Sequence, residues 1–105
     1  MIRWVRLKNG VIILHTLFSR TDIPLKDLQA IFYHYHAVVG YVFLWEFCGK
    51  NEKTIEVNGL TLGRSCLLMN LETQLPGFSM KKFKKLFKEG DVVDTLEIWK
   101  RENPN

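Results

Sequence analysis

The chain is poor in cysteine and proline, with two of the former and three of the latter among 105 residues. Cys48 and Cys66 are widely separated, and neither lies in the close Cys/His spacing that holds zinc. A disulfide between them needs an oxidising compartment, to which nothing in the sequence points. We therefore expect two free, buried thiols in a reducing cytosol.

Long hydrophobic runs are also missing. The most apolar window, residues 37–48, is shorter than the roughly 20 residues that a membrane-spanning helix needs. The first ten residues, MIRWVRLKNG, contain no apolar core of the kind that a secretory signal carries. These absences predict a cytoplasmic protein without a transmembrane segment.

Motifs of enzymatic chemistry are absent as well. Neither cysteine lies in a nucleophile turn such as Gly-x-Ser-x-Gly, and the acidic residues show no spacing typical of a general acid and base. The segment 58–63, NGLTLG, lacks the Gly-Lys-Ser/Thr end of a phosphate-binding loop. We therefore expect a protein that is not an enzyme and has no cofactor.

Two histidines, His34 and His36, come nearest to a metal site. Residues two apart in a strand share a face, so both rings are placed to ligate one ion. A third ligand would have to come from His15, Cys48 or a distant carboxylate. Because that ligand is not evident, we expect structural histidines and no bound metal.

The composition that remains describes one globular domain. A length of 105 residues is typical of a single domain, and a hydrophobic content of 47% is normal for a packed fold. The net charge of +4 and the pI near 9.2 are basic, but dedicated nucleic-acid binders often carry more charge in clearer stripes. We expect one α+β domain over residues 1–105.

Turn signals divide the first two thirds of the chain into short strands. Asn9-Gly10 separates two β-rich runs, 2–8 and 11–17, and Asn-Gly is the strongest short hairpin signal. Residues 18–23 are predicted to form a polar connection that ends at Pro24. The other predicted strands, with Gly40 as a bend or bulge, are 28–36, a central 38–48, 54–57, 60–62 and 66–71. The pattern predicts six to seven mostly antiparallel strands within residues 2–71.

One amphipathic helix is predicted at about 80–89. Ser79 is its N-cap and Gly90 its C-terminal stop. Its apolar residues recur at helical spacing: Met80, Phe83, Leu86 and Phe87.

Residues 92–102 are predicted to form a second helical segment, in which Asp91 is the cap. Val92, Leu96 and Trp99 then share one helical face, and Glu97 and Arg101 form an i,i+4 pair. An extended strand through Ile98 is the alternative.

The order of these elements resembles the bacterial pleckstrin-homology-like (PH-like) domains. The resemblance rests on IPLKDLQAI, on the extended run HAVVGYVFLWEF through a glycine, on further strands and on a closing amphipathic helix. It implies a strongly bent antiparallel sheet or partial barrel with the C-terminal helix closing one end.

Five lysines concentrate positive charge on the predicted helix, and they are the candidate binding residues: Lys81, Lys82, Lys84, Lys85 and Lys88. The helix macrodipole disfavours cations in the first turns, so the arrangement hints at an anionic partner, whereas a solvated surface is the simpler explanation. We expect a binding or adaptor module that contacts another protein. The alternative is a binder of nucleic acid or an acidic lipid surface through these lysines.

Overall fold

The computed structural model describes residues 2–36, 42–89 and 95–102, with side chains for 2–35, 43–85 and 95–102. Within these ranges the chain forms seven strands, one short 3-10 turn at Leu25–Asp27 and two helices. The strands are β1 (Trp4–Lys8), β2 (Val11–His15), β3 (Arg20–Pro24), β4 (Ala30–His36), β5 (Val42–Cys48), β6 (Thr54–Asn58) and β7 (Thr95–Lys100). The helices are α1 (Arg64–Gln74) and α2 (Met80–Glu89).

The described strands form two antiparallel sheets, so the chain is an α+β protein. Three strands make one sheet in the order β1-β2-β3, and four make the other in the order β6-β5-β4-β7. One bent sheet or partial barrel was expected, whereas the described strands belong to two sheets and form no closed barrel. The central place of β5 confirms the prediction for that strand, while the bend predicted at Gly40 lies outside the described residues.

The hairpin of β1 and β2 confirms the strongest turn signal. Asn9 and Gly10 have φ values of 52° and 74°, the positive values that a type I′ turn requires. Trp4 pairs with His15 at the open end of this hairpin, and Lys8 pairs with Val11 beside the turn.

One apolar core lies between the sheets and α1. Fully buried side chains come from the three-stranded sheet, such as Ile12, and from the four-stranded sheet, such as Phe47 and Ile55. Leu67 and Leu71 of α1 complete this core. Burial of apolar side chains from every layer is the main force that joins the two sheets.

The prediction of a strand at 66–71 is wrong, because these residues belong to α1. Leu67, Leu68, Leu71 and Leu75 are buried, whereas Met69 and Asn70 between them are exposed. Counted from Leu67, the other three leucines follow after one, four and eight residues, a spacing that places them on one helical face. Their packing against the sheets therefore decides in favour of the helix.

Two further elements differ from their predictions. Residues 20–24, expected in part as a polar connection, form β3 because they pair with β2 from His15–Arg20 to Val11–Pro24. Residues 95–100 form β7 rather than a helix, since they pair with β4 and bury Ile98. Long-range pairing overrides the helical spacing here, and the alternative of a strand through Ile98 is confirmed.

A backbone joint connects β1 to the start of α1. Leu62 donates its N–H to the carbonyl of Arg3 at 2.9 Å, and Val5 donates its N–H to the carbonyl of Leu62 at 2.9 Å. Gly63 follows with a φ of 83°, and a Cβ atom there would clash with the carbonyl oxygen of Val5. Only glycine allows the chain to turn into α1 while its backbone stays against β1.

We expect Gly63→Ala to lower the free energy of unfolding by at least about 3 kcal/mol, measured by urea denaturation. Positive φ alone costs an alanine about 1–2 kcal/mol, and the clash with Val5 adds to that cost. Gly10→Ala is the matched control, because Gly10 also has positive φ but has no atom within 4 Å of the added Cβ. Equal losses in the two variants would contradict the joint.

Candidate binding surfaces

The start of α2 confirms the predicted N-cap and reveals a second cap from α1. The hydroxyl of Ser79 accepts a hydrogen bond from the N–H of Lys82 at 3.2 Å. The carboxylate of Glu72 accepts one from the N–H of Met80 at 2.6 Å. A carboxylate at a helix N-terminus interacts favourably with the macrodipole. Glu72 therefore supplies the negative charge that the first turn of α2 itself lacks.

The five predicted lysines do not form one site. Lys81 and Lys84 line a groove of about 530 Å³ between α1 and α2, together with Met69 and Glu72. Lys82 points elsewhere, into a larger groove beside β7. Lys85 is exposed, and the side chain of Lys88 lies outside the described part of the chain. The cluster in the sequence is thus divided between two surfaces.

The apolar side of α2 contacts the four-stranded sheet through Phe83. Its ring centroid lies 4.8 Å from that of Tyr33 and 4.8 Å from that of Trp45. Met80 is also partly buried against the core. The side chains of Leu86 and Phe87, which were predicted to share this face, lie outside the described residues, as do Gly90 and Asp91.

We expect Glu72→Gln to lower the free energy of unfolding by about 0.5–1 kcal/mol, because the charge at the N-terminus of α2 is lost. The loss should shrink in 1 M salt, which screens the charge. Glu52→Gln, in an exposed turn, removes the same charge away from a helix and should have little effect. Identical stabilities of the two variants at low salt would show that Glu72 does not act on α2.

His34 is engaged in hydrogen bonds at both ring nitrogens. Its Nε2 lies 2.9 Å from an oxygen of Glu46, and its Nδ1 lies 2.9 Å from the hydroxyl of Thr95. The side chain of His36 lies outside the described residues. Within the described ranges no group of three or more histidine, cysteine or acidic side chains is placed to hold a metal.

The two thiols differ in their surroundings. Cys48 of β5 is partly buried, and this burial, with a smaller effect from the charge of Glu46, raises the pKa of its thiol. Cys66 on α1 is exposed, so the expectation that both thiols are buried is wrong for Cys66. The exposed position follows from the helix, which turns Leu67 and Leu68 inward and Cys66 outward.

We expect iodoacetamide at neutral pH to modify Cys66 at least about tenfold faster than Cys48. The thiolate is the reacting species, and both burial and the raised pKa reduce its availability at Cys48. Peptide mass spectrometry at short reaction times measures the order. Earlier modification of Cys48 would contradict the described packing of β5.

Exposed apolar side chains gather at one end of the three-stranded sheet. At this end Trp4 pairs with His15, so Ile2 just before β1 lies near the turn that follows β2. That turn carries Leu17 and Phe18, and Phe18 is 90% exposed. We call this surface the sheet-end patch, and it consists of Ile2, Trp4, Leu17, Phe18, Leu60 and Leu62.

The segment beside β1 contributes the last two members of the sheet-end patch. Leu62 forms a parallel bridge with Trp4, so the two side chains share a face. Thr61 is fully buried, whereas its neighbours Leu60 and Leu62 are 87% and 60% exposed. Trp4 itself is half-buried and stacks on His15 with 5.1 Å between ring centroids.

Hydrogen bonds hold both loops of the sheet-end patch. The hydroxyl of Thr16 accepts bonds from the N–H groups of Phe18 and Ser19 at 3.3 and 3.0 Å. The side chain of Asn58 accepts bonds from the N–H of Leu60 and the hydroxyl of Thr61 at 2.9 and 3.1 Å. The exposed apolar side chains therefore project from ordered turns.

Sequence reasoning missed the sheet-end patch. Leu60 and Leu62 were assigned to a strand, and Phe18 to a polar connection. The alternation of Leu60 and Leu62 around a threonine was a usable signal, but it does not tell which side faces water. The bridge between Leu62 and Trp4 brings Leu62 beside β1, and the pairing of β1 with β2 brings the turn of Phe18 to the same end.

None of the helices in the described part of the chain is long and apolar enough to cross a membrane. No protein-family model, no curated protein and no solved structure matches this chain.

Proposed function

We propose that this chain is a non-enzymatic binding or adaptor module that contacts another protein through the sheet-end patch. The observation that carries the proposal is the gathering of exposed apolar side chains at one end of the three-stranded sheet. Isolated exposed apolar residues are ordinary on protein surfaces, but contiguous ones typically mark an interaction site. The proposed place of action is the cytoplasm, as expected from the sequence.

The order of the loops supports a protein partner. A loop that is already held by hydrogen bonds loses less conformational entropy when a partner binds. Phe18 and Leu60 project from such loops, and an exposed aromatic ring is a frequent anchor in protein interfaces. The half-buried Trp4 adds apolar area beside Leu62, with which it forms a bridge.

An anionic partner bound by the lysines of α2 is the second candidate. Exposure of Lys81, Lys82, Lys84 and Lys85 supports it. The lysines in the first turn of α2 are weaker evidence for an anionic partner than the sequence suggested. The carboxylate of Glu72 already offsets the unfavourable position of these cations at the helix N-terminus. The division of the lysines between two grooves also favours the protein partner.

The PH-like architecture remains part of the proposal. We infer that α2 covers one end of the four-stranded sheet, as the closing helix of such a domain would. The contacts of Phe83 with Tyr33 and Trp45 support this arrangement. The described strands form two sheets, whereas the resemblance implies one strongly bent sheet.

Site-specific photo-crosslinking in the native cell tests the proposed surface. A photoreactive amino acid at Phe18 or Leu60 should form a covalent adduct with one recurring protein, whereas the same group at Lys53, exposed at the opposite end of β6 from Leu60, should not. The captured protein is then purified, and its binding is measured by calorimetry. We expect Phe18→Ser and Leu60→Ser each to weaken binding about thirtyfold, because truncation of an interface anchor costs about 2 kcal/mol.

The lysine variant distinguishes the two candidates. Replacement of both Lys81 and Lys85 by Gln should leave binding of the captured protein unchanged. Loss of binding in this variant, together with a steep fall of affinity with added salt, would replace the proposal by the anionic partner. A captured protein that binds Phe18→Ser and Leu60→Ser as tightly as the unaltered chain would overturn the sheet-end patch.

A further inference from the structure

A groove of about 1070 Å³ runs along the second half of β7 and beyond its end. Six consecutive residues, 97–102, line this groove. Successive side chains of a strand point to opposite faces, so one face alone would contribute only every second residue. A groove lined by consecutive residues therefore lies along the edge of the strand, beside its backbone.

The backbone of β7 offers hydrogen-bonding groups to this groove. β7 is the edge strand of its sheet and pairs with β4 on its other side. Arg101 donates its N–H toward β4, to the carbonyl of Gln29 at 2.9 Å. Because the direction alternates along an antiparallel strand, the N–H and carbonyl of Lys100 point away from β4 and toward the groove.

The walls of the groove are held in place. The indole of Trp99 donates a hydrogen bond to the carbonyl of Pro76 at 2.9 Å, which joins β7 to the turn after α1. The guanidinium of Arg101 donates to the carbonyls of Leu25 and Leu28, both at 2.7 Å. It also lies 5.5 Å from the centroid of the Trp99 ring. Arg101 is thus a fixed cation at one end of the groove.

The charge of the groove is positive. Four cationic side chains line it, against the two carboxylates of Glu97 and Glu102. The cations are Lys26, Lys82, Lys100 and Arg101. Within the described residues none of these four takes part in an ion pair. An acidic chain would therefore meet a groove in which the cationic side chains outnumber the carboxylates by two.

We propose that this groove binds an extended acidic segment of another protein, which adds to β7 as a further strand. Main-chain hydrogen bonds to Lys100 provide the strand pairing, and the lysines select acidic side chains. This binding site is separate from the sheet-end patch and does not depend on it. It also gives Lys82 a role different from that of the other lysines of α2.

The test uses a capped hexapeptide in which glutamate alternates with valine and threonine. It is titrated into the isotopically labelled full-length chain at 150 mM salt and followed by amide NMR. We expect saturable shifts of the Lys100 amide and of the Trp99 indole. The same peptide with alternate backbone amides methylated cannot pair as a strand and should bind at least tenfold more weakly, as should a peptide with lysine in place of glutamate.

Variants of the chain separate the backbone contribution from the charge. Lys100→Pro removes the N–H that points into the groove and should abolish binding. Lys82→Glu keeps the backbone intact, and a carboxylate suits the first turn of a helix, so this variant should fold and bind about fivefold more weakly. Lys84→Glu makes the same charge change on the same helix, but in the groove between α1 and α2, and should bind like the unaltered chain.

Several results would overturn the acidic-strand site. These are no saturable shift among residues 97–102, equal binding of the methylated or lysine peptide, and equal weakening by Lys82→Glu and Lys84→Glu. Phe18→Ser serves as a further control, because it should retain the hexapeptide while it loses the partner of the sheet-end patch. Failure of one surface is therefore distinguishable from failure of the other.

Discussion

The backbone joint between β1 and the start of α1 is the contact on which the rest of the structure depends. Two hydrogen bonds connect Leu62 to Arg3 and Val5, and Gly63 keeps its backbone against the carbonyl of Val5. A side chain larger than hydrogen has no room there, so the approach of the two segments is specified by one residue. This joint attaches the three-stranded sheet to the helix that fills the core, and it places Leu62 beside Trp4 in the sheet-end patch.

Helix α1, which begins at this joint, contacts both the core and the second helix. Its inner face supplies Leu67 and Leu71 to the core, and its outer face presents Glu72 to the first N–H of α2. The turn that follows α1 contains Pro76, which accepts the hydrogen bond of Trp99. A single helix therefore orients the N-terminus of α2 and supplies one wall of the groove along β7. The lysines of α2 acquire different surroundings as a result, although they are adjacent in the sequence.

The two proposed surfaces use different physical means. The sheet-end patch offers apolar area on loops that Thr16 and Asn58 hold in place, so a partner gains from removing this area from water. The groove along β7 offers backbone groups and fixed charge, which select an extended acidic chain. Free strand edges carry a risk of uncontrolled pairing, and charged side chains are one way in which proteins limit it. Lys100 fits this protective role as well as the selective one.

Features that depend on neighbouring residues were determined by the sequence itself. Positive φ at Asn9 and Gly10 set the first hairpin, and Ser79 set the start of α2, because a turn and a cap each involve only a few adjacent residues. Tertiary structure alone decided that Cys66 and Leu67 belong to a helix and that residues 95–100 form a strand, because both outcomes depend on packing and pairing with distant segments. The same holds for both surfaces. Their members come from separate parts of the chain, and no local pattern specifies which of them meet.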